Sequence, residues 1–302
     1  MKTKWSARIY FSAVRGPFVT ASVLPVLVGT AMAFGHGLPL NGRYFLLNLL
    51  GVVALHFGAN AANDYFDYLS GADPARPVKP FSGGSGLLQK GVLGPMDYTL
   101  LIWGHFALAM LIALYFGLKR GVLVTLLGLL GLVAGYCYTA PPVRLSYRGL
   151  GEATIGLVFG PLAILGSYAV QGGTFSQAAL LASLPLGFLI ANVLLVNEFA
   201  DHAEDKEAGK RNLVVRLGPR HALPGTFVFF LSAYLSILTA VALSACPFVS
   251  LSGCLTLPLA LWAVRQVQLG LGEPRRLTAA SAATIIVHGL TGLLLALSFI
   301  LS

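Results

Sequence analysis

Residues 177–205 read QAALLASLPLGFLIANVLLVNEFADHAED, a stretch that carries no charge from Gln177 to Asn197 and then runs into four carboxylates. About 20 apolar residues are what a helix needs to cross the hydrocarbon core of a bilayer. The stretch therefore decides the fold class: a membrane-crossing helix that ends in acid. Residues 43–63 give a second such span, and its end overlaps NAANDYFD at 60–67. If both ends are helical, Asn60, Asp64 and Asp67 share one face, as do Asn197, Asp201 and Asp205. Two such faces turned toward each other would form a site rich in oxygen ligands, suited to Mg²⁺ and a diphosphate.

The rest of the chain supports the membrane reading. Its 302 residues are 56% hydrophobic and 10% charged, and the mean hydropathy is +0.79. Soluble domains carry roughly 25% charged residues. Spans can be drawn at 17–36, 43–63, 98–118, 121–140, 153–171, 177–197, 223–244, 248–264 and 279–301. The expected architecture is all-α, a polytopic membrane bundle of about nine transmembrane helices around a central cavity. Residues 1–302 form one domain, because the longest polar stretches, near 64–97 and 198–222, are too short for a separate soluble unit. The N-terminus has no small-residue cleavage site after its apolar run, so it reads as a retained first helix.

Positive charge sets the expected orientation. Seventeen of the 20 basic residues fall on one side of this topology, leaving Arg43, Lys119 and Arg120 for the other. The chain is expected in the cell (inner) membrane, with the N-terminus cytoplasmic and the C-terminus outside. All 11 acidic residues also lie at or near the cytoplasmic ends. Acidic residues have little influence on topology, so their one-sidedness marks a polar functional face. The net charge of +9 reads as topology and attraction to anionic lipid, with no nucleic-acid partner. Cys137, Cys246 and Cys254 show neither metal-ligand spacing nor a pairing framework.

Carboxylates at helix ends must face water, a cation or a basic partner, since an ionised Asp at the bilayer centre costs roughly 2.5–3.5 kcal/mol. Asn adds a neutral oxygen ligand suited to hard cations. Arg15, Arg76, Lys79, Arg144, Lys206, Lys210 and Arg211 are expected on the same side, as a ligand with several negative charges requires. Residues 82–86, SGGSG, offer backbone N–H groups beside basic residues. Tyr136, Tyr138, Tyr147, Phe66, Phe159 and Tyr168 supply aromatic faces able to stabilise a carbocation, and His56 and His202 are possible bases. A polar head held at one membrane face with apolar walls behind it describes a polyprenyl diphosphate site. There, metal and cations would stabilise the departing diphosphate.

The motifs from Asn60 to Asp67 followed by Asp73, and from Asn197 to Asp205 followed by Gly209-Lys210-Arg211 and Val215-Arg216-Leu217-Gly218, resemble the two aspartate-rich motifs of the UbiA superfamily of intramembrane prenyltransferases. The resemblance runs from Arg15-Gly16-Pro17 to the ninth helix. It implies a helical bundle whose cavity binds a Mg²⁺-prenyl diphosphate and opens laterally to lipid. Within the superfamily, Asn63 to Asp73, Gly83 to Gly86, and Tyr138-Thr139-Ala140-Pro141-Pro142 leading to Gly149-Leu150-Gly151-Glu152 are most similar to 1,4-dihydroxy-2-naphthoate polyprenyltransferases. Those enzymes form demethylmenaquinone, within menaquinone biosynthesis, with loss of the ring carboxylate.

Carried over by position, the resemblance implies that Asn60, Asp64, Asp67, Asn197, Asp201 and Asp205 hold Mg²⁺ and diphosphate. Arg15, Lys79, Lys206 and Lys210 would contact diphosphate. Tyr138 and Arg144 would position the aromatic acceptor or the cation, joining Asp64 and Asp201 as the catalytic set. Other acceptors (4-hydroxybenzoate, homogentisate, a chlorin or haem, or a quinone) are alternatives. So is a transporter of cations or lipid phosphates, although its site would be expected near the bilayer midplane.

Overall fold

A computed structural model describes residues 5–72, 81 and 84–302. Among the described residues all regular structure is helical, and nine apolar segments follow one another. The first, a 3₁₀ turn Gly16–Val19 continuing into α2 (Thr20–Gly35), follows a short α1 (Ala7–Ala13). Then come α3 (Gly42–Ser70), α4 (Pro95–Arg120) and α5 (Val122–Cys137). The fifth span joins α6 (Gly151–Leu157) to α7 (Ala163–Val170) through a π turn, Val158–Leu162. It is followed by α8 (Gln177–Glu207), the short α9 (Leu213–Leu217) and α10 (Pro219–Ala242). A 3₁₀ turn Phe248–Thr256 enters α11 (Leu257–Leu269), and α12 (Pro274–Ile300) closes the bundle.

The helix boundaries follow from local chemistry. Asn41 caps α3 by accepting the Tyr44 N–H at 3.1 Å, and Ser176 caps α8 by accepting the Ala179 N–H at 3.1 Å. Gly71, at φ +77°, ends α3 in the left-handed conformation that a side chain resists. The eight longer segments each have 20 residues or more, whereas α5 has only 16. The expected eighth span, 248–264, is longer than its apolar run implied, because α11 continues to Leu269.

Of the long spans α8 is the most buried. It lies against α10 and α12, and against α6 through facing glycines. A Cβ on Gly160 would stand 2.8 Å from the Gly187 Cα, and one on Gly187 would stand 2.8 Å from the Gly156 carbonyl oxygen. The largest buried apolar cluster draws on α2, α7, α8, α10, α11 and α12. Outward positions are apolar as well: Leu100, Leu111, Leu118 and Leu126 are all exposed, Leu118 at 89%. A surface of exposed leucines on helices with internally satisfied backbones is suited to lipid.

Helices α3 and α8 have 29 and 31 residues. At 1.5 Å per residue both are well over about 40 Å long, against roughly 30 Å of hydrocarbon. Each is therefore longer than the hydrocarbon layer is thick, and their C-terminal parts carry the two acidic clusters.

Candidate active site

The C-terminal ends of α3 and α8 meet at one end of a cavity of about 280 Å³. From α3 it is lined by Asn60, Asn63 and Asp67, and from α8 by Asn197, Asp201, Glu204 and Asp205. Arg15, Gly84, Gly86 and Lys210 complete the polar end. Deeper in, the walls are apolar, among them Phe18, Leu55, Val158, Phe159 and Leu194. Tyr138 stands on the wall contributed by the end of α5.

Lys210 links the two clusters. Its Nζ lies 3.3 Å from Asp67 Oδ2 and 3.6 Å from Asp205 Oδ1, with 16% of the side chain exposed. Burial disfavours its ammonium, yet Asp67 and Asp205 more than offset that, and its pKa is raised well above that of an ordinary lysine. The turn that places it begins at the end of α8, where the Lys210 N–H donates to the Asp205 carbonyl at 2.8 Å. Asn212 then donates from Nδ2 to Asp205 Oδ2 at 2.7 Å and caps α9 by accepting the Val215 N–H at 2.9 Å.

Asp67 also accepts from Asn63 Nδ2 at 3.0 Å and from the Tyr147 hydroxyl at 2.8 Å. Burial and the neighbouring Asp67 carboxylate push the Tyr147 phenol upward, so it stays protonated as a donor. Arg144, at φ +48°, stacks over the Tyr147 ring with Cζ 5.1 Å from its centroid.

Asp64 faces elsewhere. It is 3% exposed but does not line the cavity. The Arg15 guanidinium forks onto it, with Nε 2.7 Å from Oδ1 and Nη2 also in contact. Its other oxygen accepts the Ser85 N–H at 3.0 Å and the Tyr98 hydroxyl at 3.1 Å. Asn60 borders the cavity while donating from Nδ2 to the Val14 carbonyl at 3.0 Å. Lys206 is exposed, on a face away from the cavity. Lys79, Arg76, Asp73 and Gly83 lie outside the described residues.

The donor set fits a hard divalent cation. Asn63, Asp67, Asn197, Asp201 and Asp205 present oxygens around one cavity. The Asn197 Oδ1 is buried without a hydrogen-bond partner while its Nδ2 donates to the Phe81 carbonyl at 2.9 Å. Among the described residues, no three Asp, Glu, His or Cys side chains converge on a single point, so a metal here would rely on the amide oxygens and the bound ligand as well.

Several site residues have no signal in motif spacing. Tyr98 and Asn212 act through tertiary contact alone, and Tyr147 reads in sequence only as one of several aromatic residues. Asn63 stands inside the quoted motif, but the spacing from Asn60 passes over it. Glu152 and Glu198 are both buried and lie against each other between α6 and α8. His56 borders the cavity and is held by Ser22, with Oγ 2.7 Å from Nδ1.

Fold and site together define an integral-membrane helical protein with an acidic mouth on an apolar chamber. Comparison with known proteins makes this specific: the model of the UbiA prenyltransferase family matches residues 22–287, and the chain belongs to that family. It is 30% identical to a 2-carboxy-1,4-naphthoquinone phytyltransferase of Synechocystis, over 97% of this chain and 93% of that protein. It is 27% identical to a 1,4-dihydroxy-2-naphthoate octaprenyltransferase of Bacillus subtilis, over 79% and 75%, and 31% identical to the Escherichia coli protein of that description, over 70% of each. The fold is shared with a UbiA homolog from Aeropyrum pernix K1, at TM-score 0.67 and 17% identity, covering 89% of this chain and 96% of that one. It is also shared with a UbiA homolog from Archaeoglobus fulgidus bound to GPP and Mg²⁺, at TM-score 0.61 and 16% identity, covering 97% and 99%.

Proposed function

We propose that this protein transfers a polyprenyl group from its diphosphate to 1,4-dihydroxy-2-naphthoate, with loss of the ring carboxylate. The observation that carries the reading is the cavity itself: two carboxylate-bearing helix ends at its mouth, Lys210 between them, and apolar walls behind. Near full-length similarity to a naphthoquinone phytyltransferase supports the aromatic acceptor.

Asn63, Asp67, Asn197, Asp201 and Asp205 would hold Mg²⁺, which when bound supplies positive charge to the departing diphosphate. Arg15 and Lys210 border the same end and bind the diphosphate oxygens. As the C–O bond at the allylic carbon breaks, its electron pair leaves with the diphosphate, and these fixed cations stabilise that charge without reorganisation. An electron pair of the acceptor ring forms the new C–C bond, and the carboxylate leaves as CO₂. Tyr138 and Phe159 border the chamber where the allylic cation forms, and aromatic faces stabilise positive charge. The apolar walls hold the isoprenoid tail and exclude water from the cation. The site belongs at the cytoplasmic face, with the N-terminus inside and the C-terminus outside, because 17 of 20 basic residues lie on that side.

The test is direct. Membranes containing the protein, Mg²⁺, a polyprenyl diphosphate and the naphthoate are expected to release diphosphate and yield a prenylated, decarboxylated quinol identified by mass spectrometry. Asp67→Ala or Asp201→Ala should lower the rate by at least about a hundredfold, as expected for loss of transition-state charge stabilisation. Undiminished product from either variant, or none from wild type, overturns the reading.

A further inference from the structure

The two carboxylates of the NAANDYFD motif face different surroundings. A helix turns about 100° per residue, so Asn63 and Asp67 point into the cavity while Asp64 lies on the flank toward Arg15 and α4. A carboxylate has about four lone-pair sites. At Asp64 four donors address them: Arg15 Nε, Arg15 Nη2, the Ser85 N–H and the Tyr98 hydroxyl. Ser85 Oγ and Tyr98 OH lie 2.8 Å apart as well, which closes the network.

Arg15 and the segment that carries Ser85 both border the mouth of the cavity. Arg15 lines it from a left-handed backbone, φ +51°, a conformation a non-glycine residue keeps only where its surroundings enforce it. Asn60, one turn before Asp64, takes the Val14 carbonyl, so two successive turns of α3 grip residues 14 and 15. Ser85 sits between Gly84 and Gly86, which both line the cavity. One buried carboxylate therefore ties the N-terminal turn, the 84–86 segment and α4 to the end of α3.

We propose that Asp64 is a positioning residue that fixes the Arg15 guanidinium and the 84–86 backbone against the diphosphate of the donor and does not take the metal. The inference rests on the prenyl-diphosphate reading of the cavity. It leaves the metal to Asn63, Asp67 and the α8 cluster, and makes Asp64 an anchor for the orientation of Arg15.

The full-length protein in nanodiscs tests this by Mn²⁺ binding, read by electron paramagnetic resonance in the presence of inorganic diphosphate, alongside steady-state kinetics. Asp64→Asn should bind Mn²⁺ within about twofold of wild type, whereas Asp67→Asn should lose about tenfold or more. Asp64→Asn should raise KM for the prenyl diphosphate about tenfold or more, as expected for loss of a charge-assisted hydrogen bond, and change kcat less. Arg15→Lys keeps both charges but breaks the fork, and should reproduce the KM increase with Mn²⁺ binding intact. The double variant should be no worse than the more impaired single one, because both act through one contact. Loss of Mn²⁺ by Asp64→Asn to the extent seen for Asp67→Asn overturns the proposal. Should Asp64→Asn fail to fold, an unchanged KM in Arg15→Lys overturns it equally. If wild type transferred no prenyl group, the functional reading would fall, and the Mn²⁺ comparison would still decide what Asp64 binds.

Discussion

At the scale of single residues, Lys210 carries the clearest expectation. Its ammonium stands between Asp67 and Asp205, where a divalent cation and a diphosphate are proposed to bind. Lys210→Gln leaves two facing carboxylates without their shared cation, a change that costs about 3 kcal/mol when one partner of a buried pair is removed. The variant should melt earlier without Mg²⁺ and recover most of the loss when Mg²⁺ is added, measured by thermal unfolding in nanodiscs. The folded pKa of Lys210 is raised. Its contribution is therefore complete below the unfolded lysine value of about 10.4 and is lost only as pH rises through the higher folded value. Between about pH 6 and 9 this bridge should give no pH dependence to stability. Residue spacing alone made Asn60, Asp64 and Asp67 one ligand face and left Asn63 aside. Helical periodicity identifies which residues lie on the same side but not which edge of that side meets the cavity. At Asp64, contacts from Arg15, Ser85 and Tyr98, all distant in sequence, occupy both carboxylate oxygens.

At the scale of elements, hydropathy located nine apolar segments, because a lipid-facing helix must be apolar along its length; eight are long enough to cross a membrane, α5 is shorter, and α3 and α8 run 7 and 10 residues past the expected ends at 63 and 197. Hydropathy was silent where the backbone departs from a plain α-helix. The π turn at Val158–Leu162 contains Pro161 and lies where Gly160 meets Gly187 of α8. These close approaches register α6 against α8, and so hold Thr154 and Ile155 on the same chamber wall as Leu194 and Asn197. Gly187→Val pushes a branched side chain into the Gly156 carbonyl. It should destabilise the bundle by about 1–3 kcal/mol and lower activity in proportion to the separation of α6 from α8. Gly289, whose Cβ would meet no atom within 4 Å, is the control: Gly289→Ala should leave both measurements unchanged.

At the scale of the whole molecule, the one-sided charge that the sequence displays becomes an orientation that can be tested. A single cysteine placed at exposed Arg211, in a background with Cys137, Cys246 and Cys254 replaced by Ala, should react with an impermeant maleimide only from the cytoplasmic side. One placed at exposed Ser302 should react only from outside. The opposite pattern would refute the orientation while leaving the site intact. The same view gives meaning to the length of α3 and α8, which exceeds the thickness of the apolar layer and is suited to carrying the acidic mouth to its edge. On the proposed reaction, the breaking C–O bond lies at a boundary between two solvents, and the pieces it yields differ in solubility as sharply as any two molecules can. Diphosphate passes to water and the prenylated ring to lipid. Phase partition, rather than a mechanical stroke, then separates the products and gives turnover its direction.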